Sequence, residues 1–460
     1  MIRRYLSRSL LHAAILFAAL PSVAQVCDSA KQDYEPVSPS ADFPAPKDLL
    51  AKWLGFNPDP DPGTGEASDY SKWQAMDIPR LRRHAWMLWA GLTADSKLPR
   101  PVDAGEPAAG LLPKWETWYR AEDVLQESAG HLNTEKGNPP TSVPQLLLAF
   151  PRELVNLKFA SARSGPGLAP RRDNTQVVAG VLYNRPTCEH VIAKRLGDPV
   201  AKDNMLRNGL REIPAFPDRD SMALKTVWMY VPHDGCEIVP VWDGIPNEPK
   251  ATHYQPAEWP RSIVVKTSST RACAATGPAV DLNDFYWREL LSQLEVARIK
   301  DSFPSARVGD YMILVGMHVI TKEIPNWVWA TFWWHDHPDY GQFADGRPSQ
   351  LAAAWRHYLM DVAYDMDRPW QSTAQPKATF NPYLEAAFEG GTRSNCMTCH
   401  RRSVWPLPAA RETLDSQGEL LQPGQIVVTG SEASEATYLP EFRKSLKLSF
   451  LWTLTRVPQK

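Results

Sequence analysis

Two thiols three residues apart, followed at once by an imidazole, stand at Cys396-Met397-Thr398-Cys399-His400. Thiols at this spacing can form thioether links to the two vinyl groups of a porphyrin, and the adjoining imidazole can ligate its iron. The spacing predicts one covalent haem c, attached through Cys396 and Cys399, with His400 as proximal iron ligand. Three other uses compete. A redox dithiol would open a helix after a strand in a β-α-β setting, which the flanking sequence lacks. A zinc site needs more ligands, and the chain has no second C-x-x-C and no H-x-x-x-H. A Cys396–Cys399 disulfide would close an unusually short loop.

Covalent haem is attached outside the cytoplasm, and the N-terminus agrees independently. "MIRRYLSRSLLHAAILFAALPSVAQ" has three arginines, an apolar run from Leu10 to Leu20 and small residues at Ser22-Val23-Ala24. This reads as a signal peptide over residues 1–24, too short in its apolar run for the ~20 residues a membrane helix needs. Val26 before Cys27 argues against lipidation. The expected product is exported, periplasmic in a Gram-negative host, with no membrane anchor after cleavage. A net charge of −2 over 460 residues gives no footprint for nucleic acid or an anionic membrane. The chain has six cysteines. Setting aside Cys396 and Cys399 leaves Cys27, Cys188, Cys236 and Cys273, which allow three pairings. Cys236 with Cys273, flanking a strand-rich stretch, is the first choice.

The other face of the iron is less defined. A small class I cytochrome c places C-x-x-C-H early and an axial methionine downstream; here neither His nor Met follows His400. The sixth ligand then comes from upstream, or the iron is five-coordinate, or an unusual donor such as the Tyr438 phenolate serves. Upstream donors are His318 and its neighbour Met317, His335 and His337 in "WWHDHPD", and His357 with Met360, one turn apart if "AAAWRHYLMD" is a helix. His335 and His337 share a face if that segment is a strand, with Asp336 pointing away. A hairpin turn at 324–326 would bring His318 near them, making a three-histidine site for zinc or copper conceivable. The run Trp327, Trp329, Phe332, Trp333, Trp334 suits core packing or a haem wall. Arg401 and Arg402 suit haem propionates or a solvated turn.

These residues must be held by a body rich in proline (42) and tryptophan (18), hence in fixed turns and large aromatic packing units. A helix is expected over "DIPRLRRHAWMLWAGL", capped by Asp77, and others over "CEHVIAKRL", "LNDFYWRELLSQLEVARI" and "PSQLAAAWRHYLMDVAYDM". "KWETWYRAEDVLQ" reads as a strand edge or short helix. Strands are expected at "TQVVAGVLYN", "ALKTVWMYVP", "CEIVPVWDG", "RSIVVKTSS", "VGDYMILVGMHVITKEI" and "NWVWATFWWHDH". The order has no regular β-α-β repeat, so the expected class is α+β with a mainly antiparallel sheet. The expected organisation is a leader (1–24), a proline-rich arm (25–70), an α+β body (71–375), and a haem-attachment segment (376–460) packed on that body rather than folded alone.

"NPYLEAAFEGGTRSNCMTCHRR", with "VGMHVITKEIPNWVWATFWWHD" and "HAWMLWAGLT…KWETWY", resembles a group of large exported bacterial proteins of the cytochrome c family. The resemblance spans roughly residues 70–460. It implies haem c on Cys396, Cys399 and His400, and implies no particular activity or sixth ligand. Two functions follow as expectations. One is electron transfer through a single haem c to a periplasmic redox partner. The other is a haem enzyme or ligand sensor, open or weakly closed at the sixth position, acting on peroxide, dioxygen or a small organic molecule.

Overall fold

Long runs of β-branched and aromatic residues, buried on both faces, form the centre of the molecule. The computed structural model describes residues 26–27, 78–100, 110–130, 177–217, 221–233, 236–243, 259, 261–267, 277–300, 302–322, 327–339, 341–349, 351, 353–363, 379–385, 396, 400, 403–406 and 445–455. Their strands are β1 (Asp95–Pro99), β2 (Leu111–Pro113), β3 (Tyr119–Arg120), β4 (Val178–Tyr183), β5 (Met222–Val231), β6 (Cys236–Val241) and β7 (Arg261–Lys266). These are followed by β8 (Ala279–Asp281), β9 (Trp287–Glu289), β10 (Tyr311–Thr321), β11 (Val328–Trp334), β12 (Tyr358–Ala363), β13 (Val404–Trp405) and β14 (Leu446–Lys447). The main sheet runs β12-β11-β10-β5-β4-β3, with β9 also on β10, and every pair is antiparallel. A second sheet, β6-β7-β8, has one parallel pair. The class is α+β with mostly antiparallel sheets, as the sequence predicts.

All eleven residues of β10 and all seven of β11 are buried, which requires cover on both faces. The helix Ile78–Thr93, predicted from its apolar spacing, covers one of them. Its Trp89 stacks on Phe332 with ring centroids 4.3 Å apart, and its Trp86 meets the same ring edge-on at 5.8 Å. Indole N–H groups find backbone acceptors, Trp86 on Asp345 O and Trp89 on Trp355 O. The expected cap Asp77, the turn at 324–326, and the leader and most of the arm lie outside the described residues. Among the described residues no helix is long and apolar enough to cross a membrane.

Two expected helices are replaced. Over 282–299 the chain makes a 3-10 turn at Leu282–Asp284, then β9, and only then a helix at Gln293–Ile299. The interruption has a buried cause: the Tyr286 hydroxyl donates to Glu116 Oε2, and Arg288 Nη1 donates to the same oxygen at 3.1 Å. Ser292 then caps the short helix through Glu295 N. Over 348–366 a 3-10 turn at Ala353–His357 leads into β12, whose ladder on β11 pairs Met360 with Phe332. The open edge of β11 offers hydrogen-bonding groups that outweigh local helix propensity. His357 and Met360 are therefore not one helical turn apart.

A disulfide joins Cys27 to Cys188 on the helix Arg185–Ala193, with Cα atoms 6.1 Å apart. Of the three pairings it leaves only Cys236 with Cys273, but Cys273 and the Cys236 side chain lie outside the described residues. The last described residues pack on the body. Lys447 exchanges backbone bonds with Arg211 and Ile213, Lys202 Nζ donates to Leu454 O at 2.6 Å, and Trp405 Nε1 donates to Asp203 at 2.8 Å.

Candidate functional site

Register sets which side chains share a face. β10 sets Ile320 opposite Trp329 and His318 opposite Thr331, while β5 sets Ala223 and Lys225 opposite the same two β10 residues. Directly opposed residues point to one side. Trp329, Thr331, Ile320, His318 and Lys225 thus line one face, and Met317, Phe332 and Met360 the other.

His400 lies on the first face, its ring centroid 4.5 Å from that of Trp329. Its Nδ1 is 2.8 Å from the Phe450 carbonyl oxygen. A carbonyl only accepts, so Nδ1 carries the hydrogen. Burial takes the ring pKa down to about 3, assisted by positive charge at Lys225 and His318 and opposed by the Phe450 bond. The imidazole is neutral, with its lone pair on Nε2. The acceptor is itself held unusually: Ser449 and Phe450 are consecutive non-glycine residues at φ 48° and φ 67°. That costs backbone energy which the surrounding contacts must offset.

Cys396 is buried, and its Sγ donates to Thr379 O at 3.4 Å. Thr379 Oγ1 and Ser403 Oγ, both buried and flanking the motif in sequence, make no hydrogen bond. Ser403 N bonds His400 O at 3.0 Å, and Leu448 N bonds Ser403 O at 3.0 Å, tying the motif to the β13–β14 pair.

His318 meets a residue the sequence reading missed. Its Nε2 lies 3.0 Å from Glu385 Oε1, while Glu385 Oε2 accepts from Asn381 N. Burial pushes the Glu385 carboxyl up, but the charge and hydrogen bond of His318 and the Asn381 amide outweigh it, and its pKa falls below the ordinary value. Asn381 is fixed in turn. Its Nδ2 donates to Phe332 O at 2.8 Å and Thr331 Oγ1 at 3.1 Å, and its Oδ1 accepts from Tyr383 N at 3.1 Å. "NPYLE" carried a local signal for this, an Asn before Pro at the start of the helix Pro382–Glu385.

The other donors go elsewhere. Met317 and Met360 are on the opposite face. His335 lies six residues past Trp329, about 20 Å along an extended strand. Residues 335–337 bend instead of continuing β11, so Asp336 sits between the histidines, 3.5 Å from His335 Nδ1 and 3.3 Å from His337 Nε2. Asp336 also holds Arg261 through two bonds of 2.7 Å, and Arg261 Nε binds Asp243 at 2.6 Å. Burial lowers the His335 pKa to about 4. His357 stacks on Trp334 with its Nε2 3.7 Å from Asp284. The three-histidine metal site does not form: His318 is opposite Thr331, not near His335. Among the described residues no group of three His, Cys, Asp or Glu is placed to hold a metal ion. Cys399, Arg401, Arg402 and Tyr438 lie outside the described residues.

The donor set fits a haem c. A neutral imidazole with Nδ1 on a backbone carbonyl and its lone pair on Nε2 is the tautomer iron ligation requires. It stands beside a buried cysteine and an aromatic wall. Comparisons with protein-family models, with curated proteins and with solved structures return no match.

Proposed function

We propose that this chain is an exported, periplasmic redox protein with one haem c, attached through Cys396 and Cys399 and ligated by His400. The observation that carries the reading is the His400 Nδ1–Phe450 O bond of 2.8 Å beneath a C-x-x-C-H sequence, since it fixes the ring in the ligating form. The bound group supplies one-electron chemistry. The chain's residues orient the imidazole, pack Trp329 against it and enclose the Cys396 thiol. Electron transfer to a periplasmic partner is the basic activity. A second use, as a haem enzyme or ligand sensor, is favoured by one observation: the polar pair His318–Glu385 lies on the same sheet face as His400.

The test is expression with export and haem-attachment machinery, followed by acid–acetone extraction. Haem that stays with the polypeptide, and is lost in Cys396→Ser, Cys399→Ser and His400→Ala, is the expected outcome. Extraction of all haem from the wild-type chain overturns the proposal.

A further inference from the structure

We infer that Ser449 and Phe450 are positioning residues for His400: their side chains hold a turn of unfavourable backbone shape against β11, and that turn fixes the imidazole. The inference deepens the haem c reading and rests on it for the role of His400. It adds two residues, about fifty positions beyond the motif, that set the ligand's place and its donor strength.

The turn is built against local preference. Leu451 N bonds Leu448 O at 3.1 Å around Ser449 and Phe450, whose φ values are 48° and 67°. Two successive positive φ angles mark a type I′ turn, which favours Asn-Gly. Each residue with a Cβ in this region lowers the population of the turn by a factor of roughly 5–30.

Both side chains reach β11 and the residue before it. Ser449 is buried, and its Oγ accepts from Trp327 Nε1 at 3.4 Å. Trp327 is fully buried and has a positive φ of its own, 66°. The Phe450 ring centroid lies 6.0 Å from that of Trp329, whose ring is 4.5 Å from His400. Glycine at 449 or 450 would suit the backbone and lose the contact made there. The residues present serve the grip on β11 at the expense of the turn.

Hydrogen bonds close a circuit through His400. Ser403 N bonds His400 O at 3.0 Å, and Leu448 N bonds Ser403 O at 3.0 Å. Two residues after Leu448, the Phe450 carbonyl accepts from His400 Nδ1 at 2.8 Å. One segment therefore holds His400 at its backbone and at its ring. A shift of the 449–450 peptide would carry the acceptor away and release the ring. A carbonyl accepting from Nδ1–H also makes Nε2 a stronger donor, which favours the oxidised form of a bound metal.

The experiment compares Ser449→Gly and Phe450→Gly with the conservative Ser449→Asn and Phe450→Tyr. In the full chain without haem, the His400 Nδ1–H is followed by nuclear magnetic resonance and assigned by its loss in His400→Gln. Both glycine variants should exchange that proton with water at least about tenfold faster than wild type, with no matching fall in thermal midpoint. Ser449→Asn keeps an acceptor and tolerates positive φ, and Phe450→Tyr keeps the ring; both should stay within about twofold of wild type. In the haem-loaded chain, the glycine variants should shift the balance toward the ferrous form at least about threefold, read from the reduction potential.

If the glycine variants unfold, Trp327→Phe carries the test, since it removes the donor to Ser449 and leaves the turn sequence intact. Exchange or potential unchanged in these variants, or faster exchange that only tracks a global loss of stability, overturns the inference. Failure of the wild type to retain covalent haem strikes the haem reading alone, because the exchange measurement needs no haem.

Discussion

Gly316 and Asn381 are fitted to each other: an added Cβ on the glycine would lie 2.7 Å from Asn381 Nδ2 and 2.8 Å from its Oδ1. The asparagine cannot retreat cheaply, because its amide satisfies Thr331 Oγ1, the Phe332 carbonyl and the Tyr383 amide. Gly316→Ala should therefore destabilise by about 1–3 kcal/mol, the usual cost of overpacking. Urea denaturation gives the number. A loss below about 0.5 kcal/mol, the level of an ordinary surface change, would mean that the fit is loose.

Lys202 is fully buried, with Nζ donating to Leu454 O and lying 4.0 Å over the Trp405 ring. Burial lowers its pKa to about 8, against an ordinary value near 10.5. Between those values the unfolded chain binds more protons than the folded one, so stability rises with pH across that window and is flat below it. From pH 7 to pH 9 the wild type should gain about 1.4 kcal/mol relative to Lys202→Met. Denaturation midpoints of the two chains at both pH values check the difference, and parallel curves would refute it.

The Glu116 carboxylate is buried between Tyr286 and Arg288. Glu116→Gln leaves the Arg288 guanidinium as an uncompensated buried charge and should cost about 3–5 kcal/mol. Tyr286→Phe removes one hydrogen bond and should cost about 1–3 kcal/mol. The order of the two losses is the discriminating result, read from guanidinium unfolding. An equal or reversed order would show that the ion pair contributes little.

The Cys27–Cys188 link spans 161 residues of sequence. Peptide mapping without reductant should recover the two cysteines in one linked fragment. Cys188→Ser should lower stability by about 2–5 kcal/mol. Recovery of Cys27 joined to any other cysteine would contradict the fold at this corner.

The central hairpin was legible because β10 and β11 are largely apolar runs rich in β-branched and aromatic residues, a pattern that burial on both faces demands. The Ile78–Thr93 helix was legible from Leu88, Trp89 and Ala85 at helical spacing. Segment 348–366 was misread because "QLAAAW" carries helix propensity, whereas its partner, the β11 edge, lies outside any local window. Tyr286 and Arg288 were misread for a similar reason: they answer to Glu116, 170 and 172 residues away. Cys396 and His400 stand out as candidates from spacing alone. Glu385 could not, since its meeting with His318 depends on a register and a glycine notch that no motif encodes. The same register keeps His335 four strand positions beyond the His318–Thr331 pair and sets Met360, opposite Phe332, on the other face.

His400 waits for Phe450, fifty residues later in the chain. β13 likewise waits for β14. The strands beneath them, β4, β5, β10, β11 and β12, all precede residue 364. In chain order, the strands that seat His400 come first, the motif next, and the residues that close over it last.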